Sequence, residues 1–233
     1  MRKLLSMILW DFKLLARYNV VAVAVAVTAL YVLAFELVPS LRTDEILLFL
    51  IYSDPSMLGF MFIGAFVLFE KAENVLRAIS VSPLGAWRYI GSKAISLTLI
   101  ALPCSLVMAL AASGWVVAFD ALYLTLAVVL SSVLFVMMGF IGAVRVKTLN
   151  QYLVVVPVFL APMLLPLLSL FHVIDTPLFY LIPSQGSLIL FDAAFGGAPS
   201  AIEISYAVAY LALSCGVAFF FAVKAFRSRV LGG

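Results

Sequence analysis

The chain has 233 residues, of which 66% are hydrophobic and only 11% are charged. Soluble domains carry about a quarter charged residues, so this composition cannot cover the surface of a soluble protein of this size. The net charge of +3 does not indicate binding of nucleic acid, because the distribution of charge is more informative than its sum. We therefore expect an all-α integral membrane protein, in which each spanning helix needs about 20 largely apolar residues.

Residues 2–17 are predicted to form an amphipathic helix that lies along the membrane surface. Apolar residues recur there at three- and four-residue spacing and form a stripe along one face of the helix. Leu9 and Leu14 fall outside this stripe. Charged residues interrupt the segment, which distinguishes it from the apolar core of a cleaved signal peptide. A basic amphipathic helix is typical of the membrane interface. The stripe consists of Leu5, Ile8, Phe12 and Leu15.

Six apolar segments follow, and each is long enough to cross a bilayer. Three alanines of the first segment, at 22, 26 and 29, form a small-residue face suited to close helix contact. Ser53-Asp54-Pro55 is expected to interrupt the second segment near its outer end, and the fifth contains three prolines. The apolar segment 172–202 is expected to re-enter the outer membrane face as short helices. The predicted spans are 18–38, 47–69, 94–118, 121–144, 149–171 and 204–223.

Lysine and arginine are distributed very unequally between the two sides of this predicted topology. Four lie in the N-terminal segment, four in 70–93, two at 145–147 and three at the C-terminus, whereas Arg42 alone lies on the other side. Positively charged loops stay in the cytoplasm. Both termini are therefore predicted to be cytoplasmic.

A search for catalytic, nucleotide-binding or metal-binding motifs finds none with the required spacing. Residues 85–93 faintly resemble a phosphate-binding loop, but the glycines are wrongly spaced and no strand precedes them. We interpret them as a loop leading Lys93 to the membrane interface. His172 is the only histidine, and Cys104 and Cys215 lie within apolar spans, where cysteine behaves as a small hydrophobe. Spans three to five carry no ionisable residue between their ends, which argues against proton coupling.

The segment 70–84 combines charged residues with a helix-ending proline. Glu73 and Arg77 are four residues apart, where opposite charges on one helix support each other. Pro83 ends the helix by excluding its predecessor from helical geometry. The pattern predicts a short helix at the membrane surface that offers charges to the cytoplasm, either as an ordinary interfacial helix or as a docking element.

This segment resembles the signature of ABC-2 type transporter permeases. Glu70-Lys71 matches the acidic-basic start of the signature, and Val81-Ser82-Pro83-Leu84 matches its end. The chain departs from the signature at Asn74, where the family often has glycine, and at Arg77, where it often has an acidic residue. The surface helix, the six spans and the outer re-entrant segment are similar to the rest of that family. The start at Phe69-Glu70-Lys71, the stretch 179–183 and the short length are most similar to its fluoroquinolone exporters.

By this resemblance, residues 1–233 form one ABC-2 type transmembrane domain in a prokaryotic plasma membrane. A second permease subunit, the same chain or a paralogue, would pair with it, and a cytoplasmic ABC ATPase subunit would bind ATP and magnesium. This chain would bind no cofactor and catalyse no reaction. The residues implied in coupling to the ATPase are Glu70, Lys71, Glu73, Arg77, Ser82, Pro83 and Leu84. The residues implied in the transport pathway are Gly59, Phe60, Phe66, Asn150, Gln151 and Phe159.

The resulting hypothesis is a permease subunit that exports an amphipathic or hydrophobic compound, including drugs, with energy from a separate ATPase. Two alternatives stay open. The chain could act alone as a small secondary transporter or channel, or it could be a membrane scaffold that transports nothing.

Overall fold

The computed structural model describes residues 2–80, 85–174 and 176–231, except for the side chains at 2, 3, 44, 54–58, 77, 78, 80, 230 and 231. Every regular element within these ranges is helical, which confirms the predicted all-α class. The ten α-helices are α1 Arg2–Arg17, α2 Val20–Leu37, α3 Asp44–Ala72, α4 Val75–Ser80, α5 Ala86–Ala112, α6 Ala121–Arg145, α7 Leu149–Leu164, α8 Leu167–Leu170, α9 Pro183–Ala194 and α10 Ala201–Phe226. Short 3₁₀ helices occupy Pro39–Leu41 and Pro177–Leu181, and a π-helical turn occupies Arg227–Leu231.

Four of the described helical segments are long and apolar enough to cross a membrane. They are Val20–Leu37, Ala86–Ala112, Ala121–Arg145 and Ala201–Arg229. The apolar helix α7 is shorter, with 16 residues. The chain is therefore a multi-pass membrane protein.

Helix α6 lies at the centre of the bundle, where it packs against α3, α5, α9 and α10. Buried residues occur along its length, and Ser131 and Ser132 are satisfied within the core by hydroxyls of neighbouring helices. Helix α9, from the predicted re-entrant segment, is also largely buried and packs against α6 and α10. The segment before α10 thus contributes a short helix to the core.

Helix α1 is amphipathic, but its buried face differs from the predicted stripe. Leu14 and Leu15 are buried, whereas Leu5 is exposed. Leu14, which falls outside the predicted stripe, is buried because α1 packs this face against α5. Leu5 and Leu9, four residues apart on one face, are both exposed.

Helix α3 runs without a break from Asp44 to Ala72. The predicted interruption at Ser53-Asp54-Pro55 is therefore wrong, since neighbouring groups in a membrane bundle can satisfy the backbone that a proline frees. A break occurs instead in the fifth predicted span. There α7 ends at Leu164 and the separate helix α8 begins at Leu167, after Pro166.

Residues 86–93 are also helical, and this corrects the prediction of a loop there. Gly85 has extended backbone geometry immediately before α5. Lys93 lies inside the bundle rather than at an interface, and its side chain is 1% exposed. Its charge is satisfied internally, as described below, so this lysine does not need to reach water.

The segments rich in lysine and arginine meet at one end of the bundle, which we call the basic end. Lys93 of α5 contacts Asp11 of α1 and Glu70 of α3. Lys71 contacts the backbone at the end of α6, and α4 packs against the C-terminal π-helical turn. Glu36, Arg42 and Trp115 meet at the opposite end.

Candidate functional site

Three charged side chains and a tyrosine form a buried cluster at the basic end. The Lys93 Nζ atom lies 2.5 Å from Asp11 Oδ1 and 2.6 Å from Glu70 Oε1. The Tyr89 hydroxyl donates a hydrogen bond of 2.5 Å to Glu70 Oε2. Asp11, Glu70 and Lys93 are only 3%, 2% and 1% exposed. We call these four residues the charge cluster.

Helical periodicity accounts for the way in which the cluster assembles. Asp11 shares the buried face of α1 with Leu14 and Leu15, since residues three and four apart lie on one side of a helix. Tyr89 and Lys93 are likewise one turn apart on α5. The cluster therefore links α1, α3 and α5 through side chains alone.

Aromatic rings pack against one side of the cluster. The Lys93 Nζ atom lies 3.6 Å from the centroid of the Phe66 ring, a distance at which the ring attracts a cation. Tyr89 packs against Phe140 and Phe226, with ring centroids 6.0 and 5.2 Å apart. Since the attraction between charges strengthens as the dielectric constant falls, separating these charges would cost more than separating a surface pair.

The cluster contains two carboxyl groups but only one ammonium group. Asp11 Oδ2 is buried and has no hydrogen-bond partner among the described residues. A cavity of about 350 Å³ adjoins it between α1 and α4, lined by Ser6, Met7, Trp10, Val75 and Ile79 together with the cluster. The cavity leaves space beside Asp11 for a further hydrogen-bond donor. Within the described ranges, no group of His, Cys, Asp and Glu has the arrangement of a metal site.

The residues predicted to couple to an ATPase have different surroundings. Glu70 is buried in the charge cluster, and its neighbour Lys71 donates hydrogen bonds of 3.3 and 2.8 Å to the Val144 and Val146 carbonyls. Glu73 is exposed, with a carboxylate oxygen 3.9 Å from Arg17 Nη2. Arg77 lies in α4, but its side chain is outside the described set, and Ser82, Pro83 and Leu84 lie outside the described residues altogether.

The predicted support between Glu73 and Arg77 within one helix is wrong. Helix α3 ends at Ala72 and α4 begins at Val75. Asn74 between them has φ of 59°, in the left-handed region, which asparagine and glycine adopt most readily. This geometry explains why asparagine can stand where the resembling permeases often have glycine.

Four of the six residues predicted to line a transport pathway pack within the bundle. Phe60 and Phe66 are fully buried, and Phe159 is partly buried, with its ring 6.3 Å from that of Phe60. A Cβ atom on Gly59 would lie 3.3 Å from Val136 Cγ2, so α3 and α6 meet closely there. The predicted role of these residues in transport stays a prediction.

The two remaining pathway candidates lie in the first turn of α7. Asn150 and Gln151 are both exposed. The Gln151 side chain accepts a hydrogen bond of 2.9 Å from the Lys147 backbone N–H. The backbone N–H of Gln151 donates a hydrogen bond to Thr148 Oγ1. Gln151 therefore stabilises the start of this helix, whatever its part in transport.

Tyr152 joins α7 to α3 and α6, and no motif in the sequence marks it. Its hydroxyl donates a hydrogen bond of 2.6 Å to the Phe60 carbonyl, and its ring stacks on that of Phe60 with centroids 5.8 Å apart. A Cβ atom on Gly64 would lie 1.9 Å from this ring, and one on Gly139 would lie 2.8 Å from the Phe60 carbonyl oxygen. The two glycines therefore make the space that Tyr152 fills.

An apolar groove of about 580 Å³ runs between α2 and α5. Thr28, Glu36, Pro103 and Cys104 are among its lining residues, and the others are aliphatic: Val21, Val25, Ala29, Val32, Leu33, Leu99, Ile100 and Val107. At its end, Glu36 accepts a hydrogen bond of 2.7 Å from Trp115 Nε1 and lies 3.3 Å from Arg42. The predicted small-residue face at Ala22, Ala26 and Ala29 is exposed.

Tyrosines of α10 hold the segment that precedes α9. Tyr206 donates a hydrogen bond to the Tyr180 carbonyl, and Tyr210 donates one of 2.6 Å to the Leu181 carbonyl. Burial and the nearby Glu203 raise the pKa of the Tyr180 hydroxyl, which donates to Glu203 Oε1. Glu203 also completes a capping box with Ser200 at the start of α10.

The charge cluster was missed because its members are distant in sequence and belong to three helices. Two local signals could have pointed to it. Asp11 is the only acid in 2–17, and it is three and four residues from Leu14 and Leu15. Lys93 is one turn from Tyr89 and is followed by a long apolar segment, so a helix beginning before Lys93 would have placed its charge inside an apolar bundle.

Comparison of the sequence with known proteins identifies the family of this chain. The chain is 31% identical over 183 residues to the fluoroquinolones export permease proteins of Mycobacterium tuberculosis strains CDC 1551 / Oshkosh and H37Rv, an alignment that covers 78% of this chain and 76% of each relative. The model of the fluoroquinolones export permease protein family matches residues 2–232. These matches confirm the similarity to fluoroquinolone exporters inferred from the sequence. The chain belongs to the fluoroquinolones export permease protein family.

Proposed function

We propose that this chain is the transmembrane subunit of an ABC-2 type exporter, with six spans and both termini in the cytoplasm. In this topology α3 and the α7–α8 segment also cross the membrane, in addition to the four long apolar segments. The gathering of lysine and arginine at one end supports the orientation, since basic segments stay in the cytoplasm. The relatives from M. tuberculosis are named as fluoroquinolone exporters, and we extend that substrate class, with other amphipathic drugs, to this chain.

The observation that carries the coupling proposal is the charge cluster. Lys93 joins Asp11 of α1 to Glu70 of α3, and α4 follows α3 directly. Separating a buried ion pair costs about 3–5 kcal/mol when one charge is left without a partner. Movement of α1 or α4 by a cytoplasmic partner would therefore carry α3 and α5 with it.

An ATPase subunit is the partner that this linkage fits. It would contact α1 and α4 on the cytoplasmic side, with Glu73 among the exposed charges, and the predicted coupling residues Ser82, Pro83 and Leu84 would also take part. ATP and magnesium would bind to that subunit. Glu70 and Lys71 would act from within this chain, Glu70 by tying α3 to α5 and Lys71 by tying α3 to the end of α6.

A second permease subunit would pack against α2. Most of the α2 surface is exposed, including the small residues Ala22, Ala26 and Ala29, and small residues allow helices to approach closely in a membrane. The groove between α2 and α5 would then face the subunit interface. The residues proposed for the transport pathway lie on α3 and α7: Gly59, Phe60, Phe66, Asn150, Gln151 and Phe159.

The decisive experiment is purification of the tagged chain from its native membrane in mild detergent, followed by an assay of ATP hydrolysis. We expect an ATPase to co-purify in stoichiometric amount. The double variant Glu73→Arg with Pro83→Ala should reduce this association, whereas Arg42→Gln at the opposite end should leave it intact. A homogeneous preparation without an ATPase, also after gentler extraction, would refute the coupled-permease proposal.

The charge cluster also favours one alternative, a stand-alone proton-coupled transporter. Its extra carboxyl group, with Asp11 Oδ2 unpartnered, could exchange a proton, and buried ionisable groups in membrane proteins often mark proton pathways. Export from inverted vesicles distinguishes the two. Inhibition by vanadate and resistance to a protonophore support ATP-driven export, and the reverse result supports proton coupling.

A further inference from the structure

Four basic residues surround two adjoining cavities where α6 and α10 end. Arg145, Lys224 and Arg229 line a cavity of about 430 Å³ together with Phe221, Ala225 and Ser228. Lys224, Arg227 and Ser228 line a second cavity of about 460 Å³ with Phe220 and Val223. Lys224 and Ser228 belong to both. We call this the C-terminal basic pocket.

The charges of this pocket have no acidic partner among the described residues. The ion pairs formed in those ranges involve Arg17, Arg42 and Lys93 instead. Basic residues near helix C-termini interact favourably with the helix dipole, which accounts for Arg145 and Lys224 individually. It does not account for four cations around a shared concave surface, so the pocket is suited to an anion.

An apolar stripe on α10 leads directly to the pocket. Leu213, Val217, Phe220 and Phe221 are exposed large side chains at three- and four-residue spacing, and the same face continues to Lys224 and Ser228. Helix α10 belongs to one of the long apolar segments, so this stripe faces acyl chains in a membrane. The pocket therefore lies at the depth of the lipid headgroups.

We propose that the C-terminal basic pocket binds the phosphate of an anionic phospholipid, whose acyl chains lie along the exposed stripe of α10. Arg145 holds the phosphate from α6, and Lys224 and Arg229 hold it from α10 and the π-helical turn. Basic pockets between membrane helices recognise such headgroups. The bound lipid links the end of α10 to the end of α6, and it does so whether or not an ATPase drives export.

Each basic residue near an anionic membrane surface contributes about 1 kcal/mol of attraction, equivalent to a factor of about five in affinity. Lys224→Gln should therefore weaken binding of anionic lipid about fivefold, and Lys224→Gln with Arg229→Gln about 25-fold. Lys224→Arg keeps the charge and should bind nearly as well as the native chain. Lys13→Gln removes one charge from an exposed position on α1 and should leave binding at the pocket unchanged.

The test is native mass spectrometry of the full-length chain in detergent, titrated with phosphatidylglycerol and separately with phosphatidylcholine. We expect one phosphatidylglycerol molecule to be retained more tightly than the others, and we expect this preference to be lost in the double variant. Circular dichroism of each variant verifies that it is folded. Equal binding of both lipids, or equal loss in Lys13→Gln, would overturn the proposal.

A second titration distinguishes lipid from soluble phosphate compounds. Glycerol 3-phosphate and inorganic phosphate carry the same anionic group without acyl chains. If either displaces phosphatidylglycerol at micromolar concentration, the pocket takes a soluble anion and the lipid assignment is wrong. If neither competes at millimolar concentration, the acyl chains on the α10 stripe contribute to binding, as proposed.

Discussion

The two ends of the bundle both contain a cation paired with carboxylate, but in opposite surroundings. At the basic end, Lys93 lies between Asp11 and Glu70, and all three side chains are at most 5% exposed. At the opposite end, the Arg42 and Glu36 side chains are 28% and 44% exposed at a distance of 3.3 Å. The chemistry is similar, and the access of solvent differs.

This difference determines what each contact does. An exposed ion pair contributes about 0–1 kcal/mol, because water and salt screen it. A buried pair contributes little to net stability when intact, but losing one partner leaves a charge that cannot be solvated. The basic end therefore resists separation of its helices, whereas the opposite end can rearrange at small cost. In the proposed exporter, this difference would let α1, α3 and α5 move together at the basic end while contacts at the opposite end rearrange.

The largest effect is expected from Lys93→Met. Removing the ammonium group leaves the Asp11 and Glu70 carboxyl groups buried without a cation, which should destabilise the protein by about 3–5 kcal/mol. Thermal unfolding of the purified chain in detergent measures this, with a thiol-reactive dye reporting exposure of Cys215, which is buried in the native fold.

The triple variant Asp11→Asn, Glu70→Gln, Lys93→Met removes all three charges and serves as the control. It should recover a large part of the lost stability, since no buried charge is left unpaired. If Lys93→Met unfolded like the native chain, the contrast between the two ends would be incorrect.

The next largest effect is expected from Gly64→Ala, which tests whether α3 is restrained by close packing as well as by the charge cluster. The added Cβ atom would lie 1.9 Å from the Tyr152 ring, and overpacking of this kind costs about 1–3 kcal/mol. The same unfolding assay applies. Gly91→Ala in α5 is the matched control, because its Cβ atom meets nothing within 4 Å and should not destabilise the helix. Similar losses in both variants would contradict the packing argument.

A smaller effect is expected from Asn74→Ala, at the joint between α3 and α4. Alanine in the left-handed region costs about 1–2 kcal/mol, so either stability falls by that amount or α4 changes its direction. Asn74→Gly relieves the strain and should be within a few tenths of a kcal/mol of the native chain. Accessibility of a cysteine at Ile79 to a soluble reagent reports the direction of α4. Equal behaviour of the alanine and glycine variants would show that the backbone at 74 is not restrained.

The smallest effect is expected from Arg42→Gln. This substitution breaks the exposed ion pair with Glu36 and should lower the free energy of unfolding by less than about 1 kcal/mol. The loss should be smaller still at high salt, because salt screens the pair in the native chain. Unfolding temperatures at low and high ionic strength measure this dependence. A loss comparable to that of Lys93→Met would show that the opposite end is as rigid as the basic end.

The helical class and the positions of most helices followed from composition and apolar length, because a lipid environment leaves few alternatives to helices. The boundaries followed less well. Pro55 was expected to interrupt α3 and does not, whereas the helix is interrupted near Pro166, between α7 and α8. A proline shows where a helix can break, but packing by neighbouring helices decides whether it does.

The charge cluster could not be predicted, because no local pattern pairs Asp11 with Lys93 across 82 positions. The segment 70–84 was recognised by its motif, yet the motif did not reveal that Glu70 and Lys71 point to different helices. Successive residues on a helix face directions about 100° apart, so an acidic-basic pair in sequence need not act at one surface. Only the tertiary arrangement separates an internal link from a docking charge.

The tyrosines of α10 have a consequence for how this protein can change during evolution. Tyr206 and Tyr210 donate to the backbone carbonyls of residues 180 and 181, and a backbone carbonyl is present whatever side chain the residue carries. The donors are therefore specified on α10, while the exposed side chains of the 3₁₀ segment, Leu178 and Leu181, are free to vary. Relatives could acquire a different outer surface there, and with it different ligands, without losing the attachment of that segment to the bundle.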